Sequence, residues 1–216
     1  GVYEIAAGTE AITIDYDSDL ILASVGLAKG ILGGQVGIAG SIAFTKAGQQ
    51  GVELTDGTTT TVNTLTLGAT NIYAFLGFGG VSGLESLDDG EIDETDLVDA
   101  GSVGFLLEDV DLAVGLFSAL TLDEVAVFAA AKATIESLGL VGIDGITASA
   151  NNIKLDINLG LSLGSGFAAI DFVRSFPGED DNGNETLDTG EDDDEDGELD
   201  PPGYAVNTGG APIHLD

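Results

Sequence analysis

Apolar positions recur every second residue along most of this chain. Val36, Ile38, Gly40, Ile42 and Phe44 alternate with Gly37, Ala39, Ser41 and Ala43, which is the period of a strand, with one face built of small residues. Thr55, Asp56 and Gly57 then mark a tight turn before a Thr-rich run of high strand propensity. Three segments, LTLGATNI from 65, FLLEDVDL from 105 and ITASANNI from 146, begin 40 and 41 residues apart. In each, the apolar phase slips by one residue beside a polar position: Asn71, Asp111 and Asn152. Leu65 and Leu67 share one phase, and Ile72, Ala74 and Leu76 share the other. Such a slip turns the buried face outward unless the strand bends or bulges there, so the pattern predicts neighbouring or stacked strands with aligned corners. Alternation resumes from Gly145, with Ile153, Leu155, Ile157, Leu159 and Leu161 on one face, and Pro177 and Gly178 end it.

One stretch carries two signals. TLDEVAVFAAAKATIESLG, from Thr121 to Gly139, has a capping-box spacing at Thr121 and Glu124, an Ala-rich middle and a terminal Gly, all marks of a helix. Val125, Val127, Ala129, Ala131, Ala133 and Ile135 also alternate. Among so many strands the strand is preferred, and one short helix over 121–138 is the alternative. The fold class is therefore all-β, an elongated β-sandwich or β-solenoid-like repeat; long alternating strands with short turns suit both.

The two ends of the alternating region match one another. YEIAAGTEAITID at 3–15 and YAVNTGGAPIHLD at 204–216 align without a gap at an offset of 201, pairing Tyr3 with Tyr204, Gly8 with Gly209, Ile12 with Ile213 and Asp15 with Asp216. Self-similarity at a fixed period is the signature of a tandem repeat. Residues 203–216 then form the opening strand of a next repeat, or a strand donated to a neighbour's sheet.

Charge changes the picture at two places. The formal net charge is −33, yet 11 acids lie between Glu85 and Asp111 and 14 between Asp171 and Asp200. A halophile surface would spread its acids evenly, so clustering favours ion sites. The run from Asp180 to Asp200 contains two consecutive copies of a calcium-loop spacing. Asp180, Asn182, Asn184, Thr186, Asp188 and Glu191 fall at loop positions 1, 3, 5, 7, 9 and 12, and Asp192, Asp194, Asp196, Glu198 and Asp200 repeat the pattern until Pro201 and Pro202 break it. Calcium takes six to eight oxygens at about 2.3 to 2.6 Å, which alternate side chains and a bidentate closing Glu supply. Glu185 stands where the first turn favours Gly, and Gly203 where the second needs Glu. A third loop takes Glu85, Asp89, Glu91, Asp93 and Asp96, although Leu87 occupies a ligand position. The competing reading is a solvated acidic linker. Against it, Gly, Asn and Leu recur where a ligand loop needs a turn, a neutral oxygen and an apolar anchor. Two bare carboxylates about 5 Å apart also repel by about 3 kcal/mol at an effective dielectric of about 20, so an ordered run calls for a counter-cation. The cofactor expected is Ca2+.

Other classes are excluded by composition. Five Lys and Arg in 216 residues make no phosphate-binding footprint. With no Cys there is neither a disulfide framework nor a thiolate site. Residues 1–11 lack the basic and long apolar regions of a signal peptide, and the lack of any Met suggests a processed chain or part of a longer one. No apolar run reaches a membrane span. The single His, His214, has no partner nearby in sequence and reads as an exposed side chain rather than a base. Without Trp, and with four Tyr, there is no evident sugar platform, so no enzyme is expected.

AGSIAFTK at 39–46, TVNTLTLGATNIYAFLGFGG at 61–80 and KATIESLGLVGIDGITASANNI at 132–153 resemble, in that order, segments of the long tandem repeats of giant bacterial surface and adhesin-like proteins, over most of residues 20–175. The resemblance implies an extracellular or cell-surface location and a β-rich stalk or filament. The domain reading is a β-rich module at 1–176 with a calcium-loop-like insertion at 85–99, an acidic calcium-binding junction at 177–202, and the segment 203–216. The function expected is a structural fibre module that assembles head to tail with copies of itself and is stiffened by calcium; a calcium-dependent adhesive module for a glycan or surface is the alternative, and a β-helical polysaccharide-active enzyme a third.

Overall fold

A computed structural model describes residues 3–7, 10–14, 20–79, 98–120, 125–162, 168–179 and 199–216. Two short strands, β1 (Tyr3–Ala7) and β2 (Glu10–Ile14), pair as a hairpin. Six long strands follow: β3 (Ile21–Leu32), β4 (Val36–Glu53), β5 (Thr59–Phe78), β6 (Val103–Leu120), β7 (Val125–Val141) and β8 (Ser149–Ser162). They form one open antiparallel sheet in which sequence neighbours are sheet neighbours. The chain then makes one helical turn, α1 (Phe172–Ser175), and a second hairpin of β9 (Tyr204–Val206) and β10 (Ile213–Leu215). The all-β class holds. A solenoid needs parallel coils, and this up-and-down sheet has none among the described residues. From Val125 the helix alternative gives way to β7, which pairs with β6 from Val125 to Val141 and with β8 from Ala126 to Gly139, interrupted in both ladders at Glu136. The alternation ends at Ser162, earlier than Pro177, and residues 168–176 return across the sheet.

The aligned corners are present. Asn71, Asp109 and Asn152 adopt left-handed backbone at φ 50°, 50° and 54°, a conformation that Asn and Asp tolerate better than other side-chain-bearing residues. Asp109 and Asn152 lie on one line through Glu136, in the ladder gaps between Glu108↔Ser137 and Val110↔Ile135 and between Ile135↔Ile153 and Ser137↔Asn151. The line continues through Asn71, Gly40 and the bulge between Val25 and Ala28. The β6 corner is thus at Asp109, two residues before the Asp111 expected. Asp111 acts from the next strand: its Oδ1 accepts the Thr70 hydroxyl at 2.5 Å and the Asn71 N–H at 3.2 Å, holding the β5 corner.

This crease inverts the pleat, so one side of the sheet stays the covered side along its whole length. In β5, Val62, Thr64, Thr66 and Gly68 are buried below the crease and Phe75 above it. The covered side is the small-residue face: Gly37, Ala39, Ala43, Gly68, Ala113, Gly115 and Ala130 are buried on it. Small side chains let a second layer approach backbone to backbone. A Cβ on Gly68 would overlap the Asn207 carbonyl, and one on Gly160 the Ala168 carbonyl. Residues 168–176 cross from β8, where Asn158 Nδ2 donates to the Ile170 carbonyl at 2.8 Å, to β4, where the Asp171 N–H donates to the Glu53 carbonyl at 2.9 Å. The main core lies beneath, with Val62, Phe117, Phe128, Ile170, Phe172, Val206 and Leu215. A smaller one, Ala39, Phe75 and Leu106, lies above the crease.

The large aliphatic rows face the other way. Ile21–Lys46–Leu65–Leu116–Ala129–Leu159 and Ala23–Phe44–Leu67–Val114–Ala131–Ile157 run side by side across all six strands, and this face is open.

Residues 203–216 were expected to be the opening strand of a next repeat or a strand donated to a neighbour. They are instead a hairpin seated on the chain's own sheet, with Val206 and Leu215 in the core and Lys132 Nζ bonded to Asp216 Oδ1 at 2.5 Å. Its register repeats that of β1–β2 at the offset of 201: Tyr3↔Ile14, Glu4↔Thr13 and Ile5↔Ile12 correspond to Tyr204↔Leu215, Ala205↔His214 and Val206↔Ile213.

Asn71 is exposed, so replacing it tests backbone conformation with little change in packing. Asn71→Gly is expected to leave stability nearly unchanged in urea unfolding, whereas Asn71→Val costs about 1–3 kcal/mol. Gly160→Ala is expected to cost at least about 2 kcal/mol through overpacking against Ala168; a neutral result would mean that the second layer does not sit this close.

Candidate functional site

Most residues expected to hold calcium lie outside the described residues: Asp180, Asn182, Asn184, Thr186, Asp188, Glu191, Asp192, Asp194, Asp196 and Glu198 in the tail, and Glu85, Asp89, Glu91, Asp93 and Asp96 in the insertion. Among the described residues, no three His, Cys, Asp or Glu side chains form a metal-binding group. What the structure places is the stem from which the acidic tail departs, including one expected ligand, Asp200.

That stem is clamped at three levels. Outermost, the Glu179 N–H donates to the Asp200 carbonyl at 3.2 Å, and the Asp200 N–H returns a bond to Glu179 Oε2 at 3.0 Å. Glu179 is buried, so its carboxylate needs this partner. Next, the Gly203 N–H donates to the Phe176 carbonyl at 2.8 Å. Innermost, Phe176 and Tyr204 meet edge to face with ring centres 5.1 Å apart, and Tyr204 meets Phe117 at 5.6 Å. Phe117 and Phe172 close the cluster at 5.4 Å. Edge-to-face aromatic pairs contribute about 0.5–1.5 kcal/mol beyond the area they bury. The two flanks of residues 180–198 are therefore joined to the main core, and any ion held there would be coupled to the sheet.

Beside the stem is a cleft of about 460 Å³ lined by Gln50, Glu179, Asp200, Tyr204 and His214, among others. Burial pushes the Tyr204 phenol above its ordinary value, and a hydrogen bond with Gln50 opposes that shift. His214, expected to be exposed, is half-buried, with its Nδ1 enclosed and lacking a hydrogen-bond partner. At the far end of the covering layer, Arg174 bonds Glu53 at 2.9 Å and lies 3.6 Å from Asp171. These two carboxylates raise the Arg174 pKa, Glu53 more strongly.

Sequence reading did not anticipate the aromatic clamp. Phe172, Phe176 and Tyr204 are separated by the acidic run, and their only early signal was that large aromatics flank it closely on both sides. It also missed a crevice along the crease, lined by Asp109, Asp111, Thr134, Glu136, Asn152 and Lys154. There Asp109 Oδ1 is enclosed without a hydrogen-bond partner.

No family model, curated protein or solved structure matches the chain. No helix among the described residues is long and apolar enough to cross a membrane.

Phe176→Ala is expected to cost about 3–5 kcal/mol in urea unfolding, because it removes the ring that joins the stem to the core. Tyr204→Phe keeps the ring and loses only the bond with Gln50, costing about 1 kcal/mol. If both changes cost the same, the rings are not what secures the stem.

Proposed function

We propose that this chain is a structural module of a secreted or cell-surface fibre, joined head to tail with copies of itself, in which calcium bound by the acidic run 180–200 stiffens the junction. The observation that carries this reading is the equal register of the two hairpins. Three cross-strand pairs coincide at an offset of 201, as expected if β1–β2 and β9–β10 are successive copies of one element. In an array, β9–β10 closes one sheet and leads into the next, so every junction has one hairpin with one acidic run before it.

The clamped stem supports a mechanical role for the ion. A tether with free ends would transmit nothing to the fold, whereas residues 180–198 leave and rejoin beside Phe117 and Phe172. Calcium gathered by Asp180–Asp200 would offset part of the self-repulsion among the 11 acids of residues 180–198 and fix the hairpin against the sheet, because ligands drawn from a linker lose their freedom only when the ion is bound. The expected ligand set fits calcium chemically: carboxylates and amide oxygens at alternate positions, with no nitrogen or sulfur donors. The reading assigns the chain no catalysis.

Calcium at about 100 times its Kd stabilises a fold by about 2.7 kcal/mol, which is a rise of about 5–10 °C in Tm for a domain of this size. Melting the chain with calcium and with EDTA is expected to show that difference, and D180N/D188N/D194N/D196N, which cuts ligands from both loops, to abolish it. A two-copy concatemer is expected to be straight in electron micrographs with calcium and variably bent without it. A melting temperature indifferent to EDTA would sink the proposal.

A further inference from the structure

The open face of the sheet raises a separate question. Soluble monomers rarely expose a contiguous apolar patch above a few hundred Å². Six strands about 4.8 Å apart, each rising about 3.3 Å per residue over about 15 residues, give a face of about 1,200 Å². In the two rows named above, the neighbouring row Val25–Ile42–Ala69–Leu112–Ala133–Leu155, and the rows Gly30–Ile38–Ala74–Leu107–Leu138 and Leu32–Val36–Leu76–Phe105–Leu140 above the crease, Lys46 is the one charged side chain. Leu76 and Leu159 are each 56 % exposed, Phe105 50 % and Leu116 44 %. The covered face has glycine and a second layer; this one has large aliphatic side chains and none.

We propose that a second copy of the same sheet covers this face, the two copies packing about a two-fold axis as an aligned β-sandwich. Three observations select that occupant. The first is area: a stable dimer buries about 800 Å² per partner, and the face exceeds that. The second is shape. On β7 the face is floored by Ala129, Ala131 and Ala133 between larger residues of β6 and β8. The resulting furrow, with Leu116 on one bank and Leu159 on the other, can receive a ridge such as Leu65 and Leu67 from a partner, as sandwich sheets interdigitate about 10 Å apart. The third is charge. The described flanks of the acid-rich stretch 80–97, at the far ends of β5 and β6, and of the run 180–198, on the covered side, lie off this face. The chain's own connecting segments offer no substitute: 80–97 holds seven acids and 180–198 eleven, while 121–124 and 163–167 are four and five residues long, and β1 and β2 make their main contacts with each other. A lipid surface is disfavoured by a net charge of −33 with five cations, since interfacial binding draws on Lys and Arg.

This pairing is lateral and does not rest on calcium at the junction. It is tested by sedimentation equilibrium of the full chain across the micromolar range in calcium. A reversible dimer is expected, tightening as salt screens the acidic exterior. L116E/L159E places two carboxylates in the interface and is expected to weaken the dimer by at least about 100-fold with an unchanged far-UV circular dichroism spectrum. Should that variant misfold, Asp144→Cys, in the exposed turn between β7 and β8, supplies the chain's only thiol for a spin label outside the interface. A narrow inter-copy distance distribution supports the pairing, and the absence of any distance overturns it. A wild-type chain that stays monomeric overturns it too, as does a dimer that L116E/L159E leaves intact. Co-sedimentation of a monomer with phosphatidylcholine vesicles would overturn it in favour of lipid.

Discussion

A strand can keep one face buried along its length only if its side chains alternate without interruption, or if every interruption is matched by its neighbours. This sheet takes the second course. Its strands run to 20 residues, and they invert their pleat along one line, at the Val25/Ala28 bulge, Gly40, Asn71, Asp109, Glu136 and Asn152. Ladder hydrogen bonds tie each strand to the next, so a corner in β5 alone would throw β4 and β6 out of register. Asp111 holds Asn71 from the neighbouring strand. The outcome is two half-sheets with a single covered side.

Side-chain size then divides the work of the two faces. On the covered side, glycines and alanines let residues 168–176 come close enough for hydrogen bonds to sheet backbone, as between Asp171 and Glu53, and let Asn207 between β9 and β10 lie against Gly68. The aromatic cluster fills the space this leaves around Phe117 and, in doing so, fastens both flanks of the acidic run. On the open side the same strands display leucine, isoleucine and phenylalanine. A module built this way has an end, where charge and hairpin meet, and a flat side, where apolar surface does. The proposed head-to-tail growth and the proposed lateral pairing would use different surfaces.

Much of this was legible before any coordinates. The strand period predicted β4, β5 and β8, the turn at Asp56 and Gly57 joins β4 to β5, and two of three corners fall on the residues expected, Asn71 and Asn152. The third is displaced because a polar residue can mark a corner by occupying it, as Asp109 does, or by bonding to one, as Asp111 does, and the two look alike in sequence. The helix signal at 121–138 failed against β7 because ladder partners on both sides outweigh a capping box and alanine propensity. Residues 203–216 read as a lone strand because the three-residue strands of β9–β10 are too short to show a period. Their match to residues 3–15 nonetheless carried the information that both are hairpins of one register.

By itself, the sequence determined the strand class, the crease, the match of residues 3–15 to 204–216 and the concentration of acid in two stretches, since each follows from local order: side-chain period, left-handed tolerance of Asn and Asp, and charge spacing. Only the tertiary structure decided which face is covered, that the hairpin closes its own sheet, and that Phe176 and Tyr204 clasp the acidic run. Period-two alternation says that a strand has two faces and is silent on which one the rest of the chain will reach. Here the answer turned on the absence of side chains at Gly68 and Gly160, where backbone can approach backbone.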